Sequence, residues 1–183
     1  MLRLFYQSNP LTLLLLIVYA ILINLKWLIS PVALDPQQYS YISNIIFNNW
    51  LHVGNWSPVL IICINATILT ITGIFFSFLL QQYKIITKAS LIPAVVFITL
   101  CSFFPDFLHS IPEVVCGMLL VFILFKIFGV YNKTKADNTY FDTGLLTGIT
   151  SLLYFPAILF CVFGMFSLFR MRSTSFREFF IFC

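Results

Sequence analysis

The chain is poor in charged residues. Only 16 of its 183 residues are charged, 10 Lys or Arg and 6 Asp or Glu, whereas 61% are hydrophobic and 18% are aromatic. A soluble domain carries about 25% charged residues, so a water-soluble core of this size would lack the polar surface to cover itself. The same composition excludes a disordered chain and a disulfide-stapled secreted module. The sequence therefore predicts an all-α, polytopic transmembrane helical bundle in contact with the lipid bilayer.

Basic clusters and cysteine pairs are also missing. The net charge of +4 comes from basic residues that stand in ones and twos beside apolar runs, so we expect no nucleic acid among the partners. The five cysteines form no Cys-x-x-Cys pair, and four of them lie inside apolar stretches, where thiols behave as small hydrophobes. Ligand-type residues on the short loops are too few to predict a metal site. We therefore predict neither a metal nor a cofactor.

Long apolar runs dominate what remains. A membrane-spanning helix needs about 20 mostly apolar residues. Four full spans are predicted, at about 11–29, 58–80, 91–108 and 113–131. The third run is the shortest and needs its flanking residues to cross the bilayer. We expect residues 1–183 to form a single transmembrane domain and to be the amino-terminal part of a longer protein, because Glu178–Cys183 begins another apolar run.

The segment 142–170 is too long for one upright span and too short for two full ones. Pro156 interrupts it, and a proline inside a helix removes a backbone hydrogen bond. One continuous span remains an alternative, but a bent pair of short helices, 142–155 and 157–170, agrees better with the loop charges. Cytoplasmic loops carry an excess of Lys and Arg. The loops after the second and fourth spans contain Lys84, Lys88, Lys133 and Lys135. A bent pair brings Arg170, Arg172 and Arg177 to the same side as these loops and the amino terminus, which we expect to be cytoplasmic.

The longest polar stretch lies between the first two spans. Apolar side chains recur at helical spacing within it, with Ser and Asn on the other side, which predicts an interfacial amphipathic helix over 36–51. Trp50 and Trp56 are expected at headgroup level. Asp35 stands at the N-cap position of this helix, before Pro36. It acts either as a cap alone, or as a cap that is also a general base toward a hydroxyl acceptor.

A second outward loop carries three more ionisable side chains. Ser110 and Glu113 have the Ser-x-x-Glu spacing of a capping box, which explains Glu113 structurally. Asp106 and His109 have no such local role. Polar groups this close to hydrocarbon are costly and often functional, so both become candidate site residues.

Small residues and two charges mark the later helices. Gly73–Ser77 and Gly144–Gly148 have small-xxx-small spacing, which predicts close helix packing. Lys126 falls near the end of the fourth span, and its side chain is expected to snorkel to the cytoplasmic surface. Asp142 is expected to cap the fifth segment at the same side.

This order of features resembles the C-type integral-membrane glycosyltransferases. The matching features are a first span, an outward Asp-x-x-x-Tyr from Asp35 to Tyr39 that opens an amphipathic helix, and a long second span. The loop containing Asp106 and the stretch from Asp142-Thr-Gly-Leu-Leu-Thr-Gly to Pro156 are similar to later parts of that superfamily. The whole chain more closely resembles the amino-terminal part of an uncharacterised family of Bacteroidota multi-pass proteins, which places it in the bacterial inner membrane.

The resemblance implies a polyprenyl-phosphate-linked sugar donor bound at the outer leaflet. By this resemblance Asp35 would deprotonate the acceptor, since one positioned base suffices for an inverting transfer. Asp106 would assist it. Lys26, Tyr39 and His109 are the candidate substrate-binding residues.

The chain also departs from that pattern. Asp35 is followed by Pro36 and Gln37, where those enzymes often show an Asp-Glu or Glu-x-Asp pair, and there are fewer spans. A degenerate relative without activity therefore belongs to the same hypothesis. The alternative is a non-catalytic subunit that packs against other membrane subunits of a secretion, motility or envelope-assembly complex. A transporter ranks third, because no span carries a charge pair at mid-membrane depth.

Overall fold

The computed structural model describes residues 10–29, 41–50, 52–86, 90–104, 108–130 and 137–171. These residues are helical throughout apart from short connections, and they contain no strand, which confirms the all-α prediction for the described part of the chain. The helices in chain order are α1 Pro10–Ile29, α2 Tyr41–Asn44, α3 Pro58–Gln82, α4 Ile92–Phe103, α5 Ile111–Phe128, α6 Asp137–Leu153 and α7 Ile158–Met171.

Three helices are long and apolar enough to cross a membrane, which indicates a membrane-embedded protein. They are Leu11–Ile29 within α1, Pro58–Gln82 (α3) and Ile111–Phe128 (α5). The third predicted span, 91–108, is represented by α4, which has 12 residues. At 1.5 Å per residue α4 is about 18 Å long, whereas a hydrocarbon core is about 30 Å thick. The helix ends because Phe104 has an extended backbone. A fourth full span is thus not seen among the described residues.

Proline marks the start of each helix in the central bundle. Pro58, Pro93 and Pro112 each occupy the first or second helical position, where the missing N–H has no intrahelical partner in any case. Ser110 lies at the N-cap position of α5 as predicted, but its hydroxyl makes no capping bond within the described residues. The predicted capping box is therefore incomplete. Glu113 still lies in the first turn of α5, where a carboxylate favours the helix dipole.

Helix α3 is central and contacts α1, α4 and α5. It packs tightly on α4 at Gly73, where an added Cβ would lie 3.4 Å from the carbonyl oxygen of Ala94. Gly73 and Ser77 are both buried, which confirms that this small-xxx-small pair lies at a helix contact. Gly148 differs, because it is exposed and a Cβ there would meet no atom within 4 Å. Its face of α6 is thus not packed against any other part of the described chain.

The predicted interruption at Pro156 is present. Helix α6 ends at Leu153, Tyr154 is extended, and a 3₁₀ turn at Phe155–Ala157 leads into α7. Helices α6 and α7 contact each other, and both contact α5. Side chains from all three helices form one cluster. It contains Ile123, Ile127, Val130 and Tyr140, with Leu120, Leu146, Phe160, Cys161 and Met165 packed against it.

Helix α6 begins five residues earlier than the predicted segment, at Asp137. Asp142 therefore lies inside the helix and does not cap it, so that expectation was wrong. Asp137 and Asn138, residue types favoured at helix amino termini, lie at the start of α6 instead. The predicted 142–155 and 157–170 correspond to Asp137–Leu153 and Ile158–Met171.

The contact between α5 and α6 carries hydroxyl groups that bond within α6. Thr143, Thr147 and Thr150 are buried, and each hydroxyl donates to the carbonyl oxygen four residues earlier. Such bonds satisfy the hydroxyl inside its own helix. The Cys116 thiol on α5 lies 3.8 Å from the carbonyl oxygen of Thr150.

The predicted interfacial helix 36–51 is described only over its second part. Residues Tyr41–Asn44 are α-helical, and Ile45–Trp50 continue as a π-helix. Ser43 and Phe47 are buried, while Ile42 and Trp50 are exposed. The burial of Ser43 contradicts the prediction that the Ser and Asn residues form the polar side of this helix. Phe47 is buried because it packs in one cluster with Val53 and Ile111 at the start of α5.

Candidate functional site

The last turn of α1 forms the candidate site with the residues that precede α5. Lys26 is exposed in this turn, where a positive charge favours the helix dipole. Its Nζ lies 5.3 Å from the centroid of the Trp27 ring, within the range of a cation–π contact. The Trp27 ring meets the ring of His109 edge to face, with centroids 5.7 Å apart and an interplanar angle of 87°. Two predicted site residues, Lys26 and His109, thus share one tryptophan.

His109 is 4% exposed, so the imidazole belongs to the interior of this end of the bundle. Leu108 beside it is fully buried, in a cluster with Leu69 and Val114 against which Trp27 also packs. Both side chains contact the Trp27 ring, but they differ in accessibility, because Lys26 is exposed and His109 is buried.

Asn65 on α3 connects the second span to this end of α5. It is fully buried, and its Nδ2 donates to the carbonyl oxygen of Leu108 over 2.9 Å. The bond fixes the backbone next to His109. Sequence analysis did not single out Asn65, although an amide inside an otherwise apolar span is a signal of its own, because such a group needs a partner there.

Three of the five candidate residues lie outside the described residues. These are Asp35, Tyr39 and Asp106. The structure therefore brings together Lys26 and His109, and the two carboxylates proposed for catalysis remain sequence predictions. Within the described ranges, no group of three or more His, Cys, Asp or Glu side chains could hold a metal ion.

A groove of about 360 Å³ runs between α1 and α3. Its volume is within the range of small-molecule pockets, roughly 300–1,000 Å³. Most of the lining is apolar, and the polar exceptions are Asn24 on α1 and Thr67 and Thr70 on α3. Leu28, one residue after Trp27, lines the groove as well. The groove therefore reaches the same end of α1 as Lys26, Trp27 and His109, which we call the Lys26 cluster.

The other end of the bundle has its own polar contacts. Lys126 in the last turn of α5 pairs with Asp142 of α6, with Nζ and Oδ2 2.9 Å apart. Lys126 is therefore paired with Asp142. The snorkelling of its side chain to the cytoplasmic surface stays a prediction. The Tyr83 hydroxyl, just after α3, donates to the carbonyl oxygen of Phe125 over 3.2 Å, and burial raises the pKa of Tyr83 above its ordinary value of 10.0. These contacts join α3, α5 and α6 at one end.

The chemistry available at the candidate site is binding of an anion at the membrane surface. Lys26 supplies an exposed ammonium, a group that binds phosphate as a point charge, and Trp27 supplies the amphipathic ring typical of membrane interfaces. His109 is too buried to reach a ligand that stays at the surface. Comparison with known proteins gives no match for this chain, whether with family models, curated proteins or solved structures.

Proposed function

We propose that this chain binds a polyprenyl-phosphate-linked sugar at the outer leaflet of a bacterial inner membrane and transfers the sugar to a hydroxyl acceptor. A degenerate relative that binds the lipid without transfer belongs to the same proposal. The observation that carries it is the exposed Lys26 ammonium at the end of a helix long enough to span the membrane. This ammonium contacts the Trp27 ring, which in turn contacts the His109 ring.

The position of Lys26 suits a lipid phosphate. Helix α1 has 20 residues and is about 30 Å long, equal to the thickness of a hydrocarbon core. A side chain in its last turn reaches headgroup level, where a lipid phosphate lies. A phosphate attached to a long polyprenyl chain stays at that depth because its chain is held in the bilayer. Lys26 then pairs with the phosphate, and Trp27 positions the ammonium.

In the proposed transfer the acceptor hydroxyl attacks the anomeric carbon of the donor sugar. Its proton passes to the Asp35 carboxylate, with Asp106 assisting, while the bond from that carbon to the phosphate oxygen breaks and polyprenyl phosphate leaves. Asp106 precedes the buried Leu108 by two residues in sequence, and Asp35 follows the end of α1 by six. Both carboxylates therefore flank, along the chain, the elements that form the Lys26 cluster.

The proposed topology has a cytoplasmic amino terminus. Four spans cross the membrane, and α6 and α7 form a bent pair that returns the chain to the cytoplasm. Lys84 and Lys126 then lie on the cytoplasmic side and Lys26 on the outer side, in line with the excess of basic residues in cytoplasmic loops.

A second candidate function is a non-catalytic subunit of a membrane complex. The observation in its favour is the open face of α6, where Gly148 is exposed and Leu145 and Ile149 beside it are 49% and 44% exposed. Small residues let two helices approach closely in a membrane. A partner helix could pack there without any change in this chain.

Binding and transfer assays on the full chain in proteoliposomes test the first proposal. Lys26→Gln is expected to weaken binding of polyprenyl phosphate about tenfold or more, because a charge-assisted contact contributes about 1.5–3 kcal/mol. Lys84→Gln is the matched control, since Lys84 is an exposed lysine at the opposite end of α3. Equal losses in the two variants, or none in Lys26→Gln, would refute the phosphate site.

The catalytic part of the proposal has its own variant. Asp35→Asn preserves most of the capping ability of residue 35 and removes its basicity. It is expected to abolish sugar transfer and leave lipid binding unchanged. Transfer at the wild-type rate in Asp35→Asn contradicts the assignment of the base. Lipid binding without any transfer by the wild-type chain would favour the degenerate relative, and a reproducible partner in mild detergent would favour the subunit.

A further inference from the structure

The groove between α1 and α3 has a hydrogen-bonding character that the proposed function does not use. One face of α1 packs against α4, through Leu16 and Ala20. The groove lies along the adjoining side of α1, from Ile17 to Leu28, with Ala20 at the shared edge and α3 as its other wall. These eleven residue steps correspond to a length of about 16 Å.

Asn24 supplies a buried acceptor in this groove. The residue is 1% exposed, and its Nδ2 donates to the carbonyl oxygen of Ala20 over 2.9 Å. Its Oδ1 is buried and has no hydrogen-bond partner within the described part of the chain. A buried acceptor without a donor is unfavourable, because it has lost its bonds to water and gained none in return. A donor supplied from the groove would remove that penalty.

The other polar groups of the groove are acceptors too. The Thr67 hydroxyl donates to the carbonyl oxygen of Cys63 and the Thr70 hydroxyl to that of Ala66, each over 2.7 Å. Their protons are therefore committed, and their oxygen lone pairs remain. Apart from the weakly donating Cys63 thiol and the second Nδ2–H of Asn24, the lining offers acceptors, and it includes no charged residue.

We infer that this groove binds a neutral lipid alcohol, with its hydrocarbon chain along α1 and its hydroxyl donating to Oδ1 of Asn24. Asn24 lies five residues before the end of α1, about 7 Å below that end. This depth is just inside the hydrocarbon boundary, where a hydroxyl that carries no charged headgroup can lie. A polyprenyl chain has no donor at this depth, so the inference does not depend on the proposed function.

The size of the groove favours a lipid chain over a partner helix. A helix about 10 Å across occupies roughly 400 Å³ per turn, and three turns are needed to follow a groove of about 16 Å. The groove provides about 360 Å³ in total. A single hydrocarbon chain can lie within the groove, whereas a partner helix would lie across its open side.

The test compares a lipid alcohol with its ester. Purified full chain is equilibrated in detergent micelles with radiolabelled oleyl alcohol, a single-chain lipid with a free hydroxyl, or with its acetate ester, which has none. Wild-type protein is expected to bind the alcohol about tenfold more tightly. Asn24→Leu should bind both lipids equally. Asn49→Leu, the same substitution at an exposed helical site outside the groove, should keep the wild-type preference.

A second variant covers the possibility that Asn24→Leu fails to fold. Ala66→Leu adds bulk to the groove wall and leaves the acceptor in place, so it should weaken binding of both lipids. Three outcomes overturn the inference. They are equal affinity of the wild-type protein for alcohol and ester, a preference for the alcohol that persists in Asn24→Leu, and an unchanged lipid affinity in Ala66→Leu. Efficient chemical cross-linking of two copies through Cys63 would assign the groove to a second copy instead. Lys26→Gln should leave the preference unchanged, which separates this test from that of the proposed function.

Discussion

Replacing Lys126 and Asp142 singly and together measures what their ion pair contributes to stability. The charged atoms lie 2.9 Å apart. At that separation two unit charges attract by about 6 kcal/mol at an effective dielectric constant of about 20, and by about 1.4 kcal/mol in bulk water. The side chains are 42% and 47% exposed, so solvent screening and the ordering of two long side chains reduce the net value. We expect a coupling free energy of about 1 kcal/mol.

The experiment is a double-mutant cycle with Lys126→Met, which removes the charge and shortens the side chain by one atom, and Asp142→Asn, which removes the charge at the same side-chain length. The free energy of unfolding is measured for the wild type, both single variants and the double variant, from the loss of helical circular dichroism in mixed micelles as the denaturing detergent increases. The coupling is the part of the double-variant effect that the single variants do not add up to.

Salt dependence decides where the pair lies. The Debye length falls from about 10 Å at 0.1 M to about 3 Å at 1 M ionic strength, so a pair at the water interface should lose about half of its coupling. A coupling of about 3 kcal/mol that salt leaves unchanged would mean that the pair is enclosed in apolar surroundings. That result would refute both the expected magnitude and the placement of Lys126 and Asp142 at a membrane surface. A coupling near zero would mean that the pair does not form.

Three further predictions concern packing and protonation. Gly73→Leu should lower the free energy of unfolding by about 1–3 kcal/mol through overpacking, whereas Gly148→Leu, on an open face, should not lower it; equal losses would contradict the assigned contact. Trp27→Leu and His109→Leu should be non-additive, with a coupling free energy of about 1 kcal/mol, as an aromatic ring pair requires. The raised pKa of Tyr83 predicts that its contribution is complete below pH 10 and is lost as the pH rises through the folded-state pKa, because the folded state then holds its proton more tightly. Tyrosinate absorbance follows this titration, and Tyr83→Phe should abolish the loss.

The sequence predicted the class of protein because a chain of this length with so few charged residues lacks the polar surface to cover a soluble core. Burial in a membrane removes the need for that surface. Three of the predicted spans have full-length helices, and the interruption at Pro156 was located because proline cannot complete the helical hydrogen-bond pattern. The third span was overestimated. Hydropathy counts apolar residues and does not detect the extended conformation of Phe104 that ends α4.

The polar contacts could not be predicted from the sequence because they depend on which helices are neighbours. Lys126 and Asp142 each have a plausible local role, and only the packing of α5 against α6 makes them partners. Asn24 and Asn65 look alike in sequence, yet one lines an open groove and the other holds the backbone beside His109. For the candidate site, Lys26 and His109 were predicted from the sequence, but Trp27, whose ring contacts both, was not.

The threonine bonds of α6 have a mechanical consequence. Because Thr143, Thr147 and Thr150 donate to carbonyl oxygens of their own helix, a rotation or a small slide of α6 against α5 breaks none of these three bonds. The ion pair at the Lys126 end resists such a movement more than the hydroxyl-rich middle does. Sliding of α6 along α5 is therefore limited by the ion pair at Asp142 and by the apolar contacts of Leu153 with the Ile111 cluster, and not by its threonines.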